Sequence, residues 1–130
     1  MTGDQTPFRV QTTQHVLAVK DLDASEAYFT DKLGFEVRFR VDGWVFLSLQ
    51  GFHVMLGHCA DDLSAAETNN HSYFAYVNCE GIDALFEAYR SRDVEFTHPV
   101  ADKPWGLREF GVRTPEGHRI LFGQEIEVSK

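Results

Sequence analysis

The sequence predicts an α+β fold made of two βαβββ modules in tandem within a single domain covering residues 1–130. Three observations predict it: a strand–helix–strand–strand–strand order that occurs twice, two glycine-bounded closing strands that can be laid on each other, and a polar stretch between the halves. The first module is expected over about 11–59, the linker over 60–70 and the second module over about 71–125.

The first module opens with the β-branched run Gln14-His15-Val16-Leu17-Ala18-Val19. Asp23-Ala24-Ser25-Glu26 resembles a capping box and predicts a helix start, and Gly34 supplies a stop after Leu33. Strands are then expected over Glu36 to Arg40, Gly43 to Leu49 and Phe52 to Leu56, parted by Asp42-Gly43 and Gln50-Gly51 turns. The second module repeats the order. Ser72 to Val77 reads as a strand, and Ile82, Leu85, Phe86 and Tyr89 fall at i, i+3, i+4 and i+7, the spacing of one helix face. Val94-Glu95-Phe96, Leu107 to Arg113 and His118 to Phe122 complete it, with a turn at Pro115-Glu116-Gly117. Gly51-Phe-His-Val-Met-Leu-Gly57 then matches Gly117-His-Arg-Ile-Leu-Phe-Gly123. The linker, ADDLSAAETNN, is polar with a helical turn expected at its centre.

Composition narrows the function classes. With 130 residues, 43% hydrophobic and 25% charged, the chain has enough apolar side chains for one core and too little length for two domains. A net charge of −8 argues against nucleic acid, which calls for a clustered basic surface. No apolar run approaches the roughly 20 residues that span a bilayer, and MTGDQTPFRV carries no secretory pattern, so a cytoplasmic protein without membrane contact is expected. Cys59 and Cys79 lack metal spacing and are expected as free thiols.

Val19-x-Asp21-Leu22 leading to Ala27-Tyr28-Phe29 and Leu33-Gly34-Phe35, then Gly43-Trp44, Pro104-Trp105-Gly106, Arg108-Glu109-Phe110 and Pro115-x-Gly117 form an ordered set at module spacing. In these motifs the chain, from about Gln14 to Gly123, resembles the vicinal oxygen chelate superfamily of glyoxalase I, extradiol dioxygenases, fosfomycin-resistance enzymes and bleomycin-resistance proteins. The Asp42-Gly43-Trp44 turn and the PWG and REF pieces are most similar to the bleomycin-resistance branch. The resemblance implies sheets curled around a cavity, and a homodimer that sequesters a flat, cationic drug in interface grooves without catalysis.

The catalytic branches of that superfamily hold a divalent metal on the first and last strands of each module. Here the corresponding positions are Gln14, Met55, Ser72 and Leu121, with Leu56 replacing Met55 if the register slips by one. An amide, a thioether, a hydroxyl and a hydrocarbon are a poor set for a catalytic cation. Leu121 and Met55 also stand where glutamate bases are expected in glyoxalase chemistry. His15 and His71 are each displaced by one residue, which turns a strand side chain to the opposite face, and His53 shares the face of Met55. No GxSxG elbow, thiol-activating motif or phosphate loop is present.

The expectation is therefore a cofactor-free binding protein with no metal and no catalytic residue, taking a planar or cationic antibiotic or metabolite in an aromatic groove. Trp44, Phe46, Phe74, Tyr76, Trp105, Phe110 and Arg119 are the candidate ligand contacts, chosen as aromatic faces and a polar handle on strand positions. Arg108 and Glu109 point to opposite faces of one strand, leaving one for a salt bridge across a dimer and the other for water. A metal-dependent glyoxalase-like lyase or a dioxygenase with a rearranged ligand set is the alternative, and a metabolite sensor or orphan subunit a third.

Overall fold

The computed structural model describes residues 7, 9, 11–61, 67 and 73–126. The chain folds as β1 (His15–Val19), α1 (Leu22–Ala27) running into a π-helical turn (Tyr28–Lys32), β2 (Glu36–Val41), β3 (Trp44–Leu49), β4 (Phe52–His58), β5 (Tyr73–Asn78), α2 (Ile82–Ser91), β6 (Phe96–Asp102), β7 (Leu107–Arg113) and β8 (Arg119–Glu125). Two four-stranded sheets result, ordered β1-β4-β3-β2 and β5-β8-β7-β6. In each, the outer strand next to the module's last strand runs parallel to it and the other pairs are antiparallel. The two βαβββ modules predicted from the repeat are present, and neither sheet closes on itself.

The cap of α1 and the extent of β6 differ from the sequence reading. The cap of α1 is Asp21, whose Oδ1 accepts the N–H of Ala24 at 3.0 Å, while Glu26 binds Arg40 Nε at 2.9 Å and takes no part in a capping box. Strand β6 begins at Phe96 and runs on through Pro99 to Asp102. Proline is tolerated because β6 is an edge strand with irregular pairing to β7. Most of the expected linker, including its proposed helical turn, lies outside the described residues. The stop at Gly34 is as expected, with φ +85°, a conformation that glycine adopts without strain.

Each sheet has a helix face and an open face, set by the two-residue period of a strand. Leu17, Val19, Val45, Leu47, Val54 and Leu56 of the first sheet are buried, as are Phe110, Val112, Ile120 and Phe122 of the second. Helix α2 lays Phe86 and Tyr89 onto Phe110, with ring centroids at 5.4 and 6.2 Å. Fully burying each such ring contributes about 1.5–3 kcal/mol, so this face anchors the second module. The modules meet at their helices and junction strands. Tyr89 Oη donates to Leu33 O at 2.8 Å, Lys32 Nζ to Arg92 O at 2.6 Å, and Glu116 caps the start of α1 from the β7–β8 turn.

Candidate ligand-binding faces

The open face of the first sheet is apolar. Trp44 and Phe46 alternate on β3 opposite Gly57 and Met55 of β4, while Phe39 and Val41 stand on β2 opposite Phe46 and Trp44. Gly57 has no side chain, and the Trp44 indole lies across it so closely that a Cβ there would sit 2.7 Å from two ring carbons. Phe39 and Phe46 stack with centroids 4.3 Å apart and planes 14° apart. Val16 is 61% exposed, and Phe39 and Val41 are 53% exposed, so this surface has no cover among the described residues.

The open face of the second sheet is polar. Tyr76 of β5 leans over Gly123 of β8 and donates from its hydroxyl to Glu109 Oε1 at 3.1 Å. The Trp105 indole N–H donates to the same oxygen at 3.2 Å. Burial, and next the bond to Glu109, push the Tyr76 phenol up to about 12, so it stays a proton donor at neutral pH. Glu109 itself is only 5% exposed. Its second oxygen lies 3.8 Å from His98 Nε2, too far for a hydrogen bond. Burial lowers the His98 pKa, Lys103 lowers it further, and Glu109 acts in the opposite direction. Beyond it, Tyr73 Oη donates to Thr97 Oγ1 at 3.1 Å, and the Arg119 guanidinium stands 5.6 Å from the centre of the Tyr73 ring.

The seven candidate ligand contacts do not converge. Trp44 and Phe46 occupy one open face, and Tyr76, Trp105 and Arg119 the other. Phe74 and Phe110 need correction. Phe74 sits at an irregularity in the β5–β8 register, between Tyr73 and Ala75, which breaks the strict alternation on which its placement rested. Its ring packs at the module junction against His15, Phe52 and His118. Phe110 is fully buried on the helix face, between Phe86, Phe96 and Phe122, and no ligand on the open face reaches it. Its partner across the β7–β8 ladder is Phe122, a register that a sequence reader could have obtained by folding the hairpin back from the Pro115–Gly117 turn. Arg108 bonds Asp83 and Asp102 within the chain, at 2.9 and 3.0 Å, and Glu109 is buried on the open face and does not face water.

The chemistry at the candidate metal positions does not fit a cation. Met55 is level with Val16 and Phe46, and Leu121 lies between Tyr76 and Gly111. Leu56 faces the core. Gln14 is exposed just ahead of β1, and Ser72, like His71, lies outside the described residues. His15 turns toward the helix side, edge-on to Phe52 at 5.3 Å. Among the described residues no three His, Cys, Asp or Glu side chains gather as a metal site would require.

A cleft of about 1250 Å³, which sequence reasoning missed, opens between the β3–β4 turn and β5, lined by Gln50, Phe52, Tyr76, Glu80 and Glu125 among others. It shares only Tyr76 with the candidate contacts. Two polar groups along it are engaged: Gln124 Oε1 accepts from Ile82 N at 3.0 Å, and the Cys79 thiol lies 3.6 Å from Gly123 O. The open faces, with their uncovered rings, are the better candidates. No helix among the described residues is long and apolar enough to cross a membrane.

Known proteins share this architecture. A bleomycin resistance protein of Geobacillus stearothermophilus is 27% identical over 126 residues, covering 85% of this chain and 94% of its own. A glyoxalase/bleomycin resistance protein/dioxygenase from Nocardioides superimposes with a TM-score of 0.72 at 26% identity, over 97% of this chain and 90% of its own. The bleomycin-binding protein of Streptomyces verticillus, solved with copper(II)-bleomycin, does so with a TM-score of 0.70 at 23% identity, over 93% and 99%. Residues 11–122 match the profile of the Glyoxalase/Bleomycin resistance protein/Dioxygenase superfamily, and the chain belongs to that superfamily.

Proposed function

We propose that this protein binds, without transforming, a planar small molecule of the antibiotic type. The groove would form in a homodimer, where the open face of the first sheet of one copy meets the open face of the second sheet of its partner. The observation that carries this reading is the uncovered apolar face built by Val16, Phe39, Val41, Trp44 and Phe46. Left in water, such a surface is unfavourable by about 25 cal/mol per Å² of apolar area, and a flat aromatic ligand between two sheets would remove much of it. The two open faces complement each other: one supplies stacking area, the other hydrogen-bonding groups.

The bleomycin resistance protein relative and the bleomycin-binding fold neighbour support an antibiotic as the ligand class. Poor donors at Met55 and Leu121 favour binding over metal-dependent lyase or dioxygenase chemistry. The net charge of −8 disfavours nucleic acid, and the half-buried thiols of Cys59 and Cys79 suit the reducing cytoplasm.

The test is a titration of tag-free protein with metal-free bleomycin, followed by tryptophan fluorescence, alongside sedimentation and elemental analysis of the same sample. A dimer that responds saturably at one ligand per chain, with no retained metal, is the expected result. About one Mn, Fe, Ni or Zn retained per chain, with no response to bleomycin, would replace this reading with the metal-dependent one.

A further inference from the structure

Glu109 is the one charged side chain of the second open face that the sheet has drawn inside. A carboxylate this buried is unfavourable unless its oxygens are matched by donors or a positive charge. One oxygen is matched, by the Tyr76 hydroxyl and the Trp105 indole N–H, both neutral donors. The other faces His98 Nε2 at 3.8 Å, and that nitrogen is itself buried without a hydrogen-bond partner. Among the described residues no lysine or arginine forms an ion pair with Glu109. Trp105, the second of these donors, is 62% exposed on the short turn closed by Gly106 N donating to Lys103 O.

We propose that Glu109 selects the ligand: resting on the groove reading above, its Oε2 edge receives a cationic nitrogen group, an amidinium, guanidinium or primary ammonium, carried by the bound planar molecule. A charged N–H donor reaching Oε2 makes the short, strong type of hydrogen bond and supplies the positive charge that the sheet withholds. His98 Nε2, close by, is placed to take a second N–H of a planar amidinium as acceptor when the imidazole is neutral. Tyr76 and Trp105 hold the carboxylate in one orientation, so the fork of a guanidinium or amidinium meets a fixed edge. The aromatic body of the ligand would then lie toward the apolar face of the partner's first sheet.

Two matched probes test it, 2-naphthamidine and its uncharged isostere 2-naphthamide, titrated calorimetrically at pH 7. The unaltered protein should prefer the amidine by at least about tenfold, the range of one charged hydrogen bond. Glu109→Gln should bring the ratio of the two affinities to within about twofold of one, because the amide keeps size and hydrogen bonding but loses the charge. Equal affinity of the two probes for the unaltered protein overturns the assignment whether or not Glu109→Gln folds. A preference that survives in folded Glu109→Gln overturns it in favour of a ring-face contact with the cation. If naphthamide binds and the charge makes no difference, the groove stands and only the role of Glu109 falls; if neither probe binds, the groove reading falls with it.

Discussion

Glu116, in the turn between β7 and β8, accepts the backbone N–H of Asp21 at 2.8 Å on Oε2, and that of neighbouring Lys20 at 2.7 Å on Oε1. One carboxylate from the second module thus closes the end of β1 and the entrance to α1 in the first. The Pro-Glu-Gly turn that the sequence marks only as a hairpin is also the clasp between modules. Glu116→Ala should destabilise the fold by about 1–2 kcal/mol, the scale of a lost helix cap plus one further hydrogen bond. Urea denaturation reads it; an unchanged midpoint would show that water replaces the carboxylate without loss.

The repeat made the fold legible. Glycines at 51 and 117, valines at 19 and 77 and the helix faces of both halves are local signals, and each module's topology follows from them. The site was less legible because it depends on pairing between strands. Phe110 and Glu109 are adjacent, and only the β7–β8 register decides that the ring goes to the core and the carboxylate to the open face. Phe74 depended on an irregularity that no residue pattern announces. Phe39 and Val41 were not among the candidates, because the expected strand ended at Arg40 and only the β2–β3 pairing sets them beside Phe46 and Trp44.

Tyr89 joins the two helices through a buried hydroxyl, 2.8 Å from Leu33 O, and burial raises its pKa well above the ordinary phenol. Tyr89→Phe keeps the ring contacts to Phe110 and Phe122 and strands only the Leu33 carbonyl. A loss of about 1–2 kcal/mol is expected. Thermal unfolding should remain a single transition with a lowered midpoint, and an unshifted midpoint would show that the carbonyl finds another donor.

Gly57 and Gly123 occupy equivalent places in the two closing strands, and each lies under an aromatic side chain, Trp44 in one module and Tyr76 in the other. Gly57→Ala would put a methyl group 2.7 Å from the Trp44 ring and must push the indole off the sheet. Gly123→Ala meets the Tyr76 hydroxyl and ring, and must break its bond to Glu109. Each should destabilise by about 1–3 kcal/mol, as overpacking does. Their optical effects should differ: Gly57→Ala shifts the emission of Trp44 directly, whereas Gly123→Ala acts on Trp105 only through Glu109. Superimposable emission spectra for Gly57→Ala and the unaltered protein would contradict the packing described.

His118 gives the fold a sensitivity to acid. It is 7% exposed, its Nδ1 lies 3.5 Å from Thr114 Oγ1, and the Phe74 ring stands edge-on to it at 6.1 Å. Burial lowers its pKa below the usual histidine value, while Glu116 and the Ala18 backbone raise it to a lesser extent. The folded chain therefore takes up this proton less readily than the unfolded chain. No stability is lost above the ordinary histidine range; as pH falls below about 6.5 the unfolded state gains protons first and stability drops. A full proton of difference is equivalent to about 1.4 kcal/mol per pH unit, which bounds the loss between pH 7 and 5.5 at roughly 1 kcal/mol. His98, also lowered but partly exposed, adds a smaller contribution of the same sign. Urea midpoints for the unaltered protein and His118→Gln at both pH values separate the two. The variant should start lower and fall less, and equal slopes would remove His118 as the source.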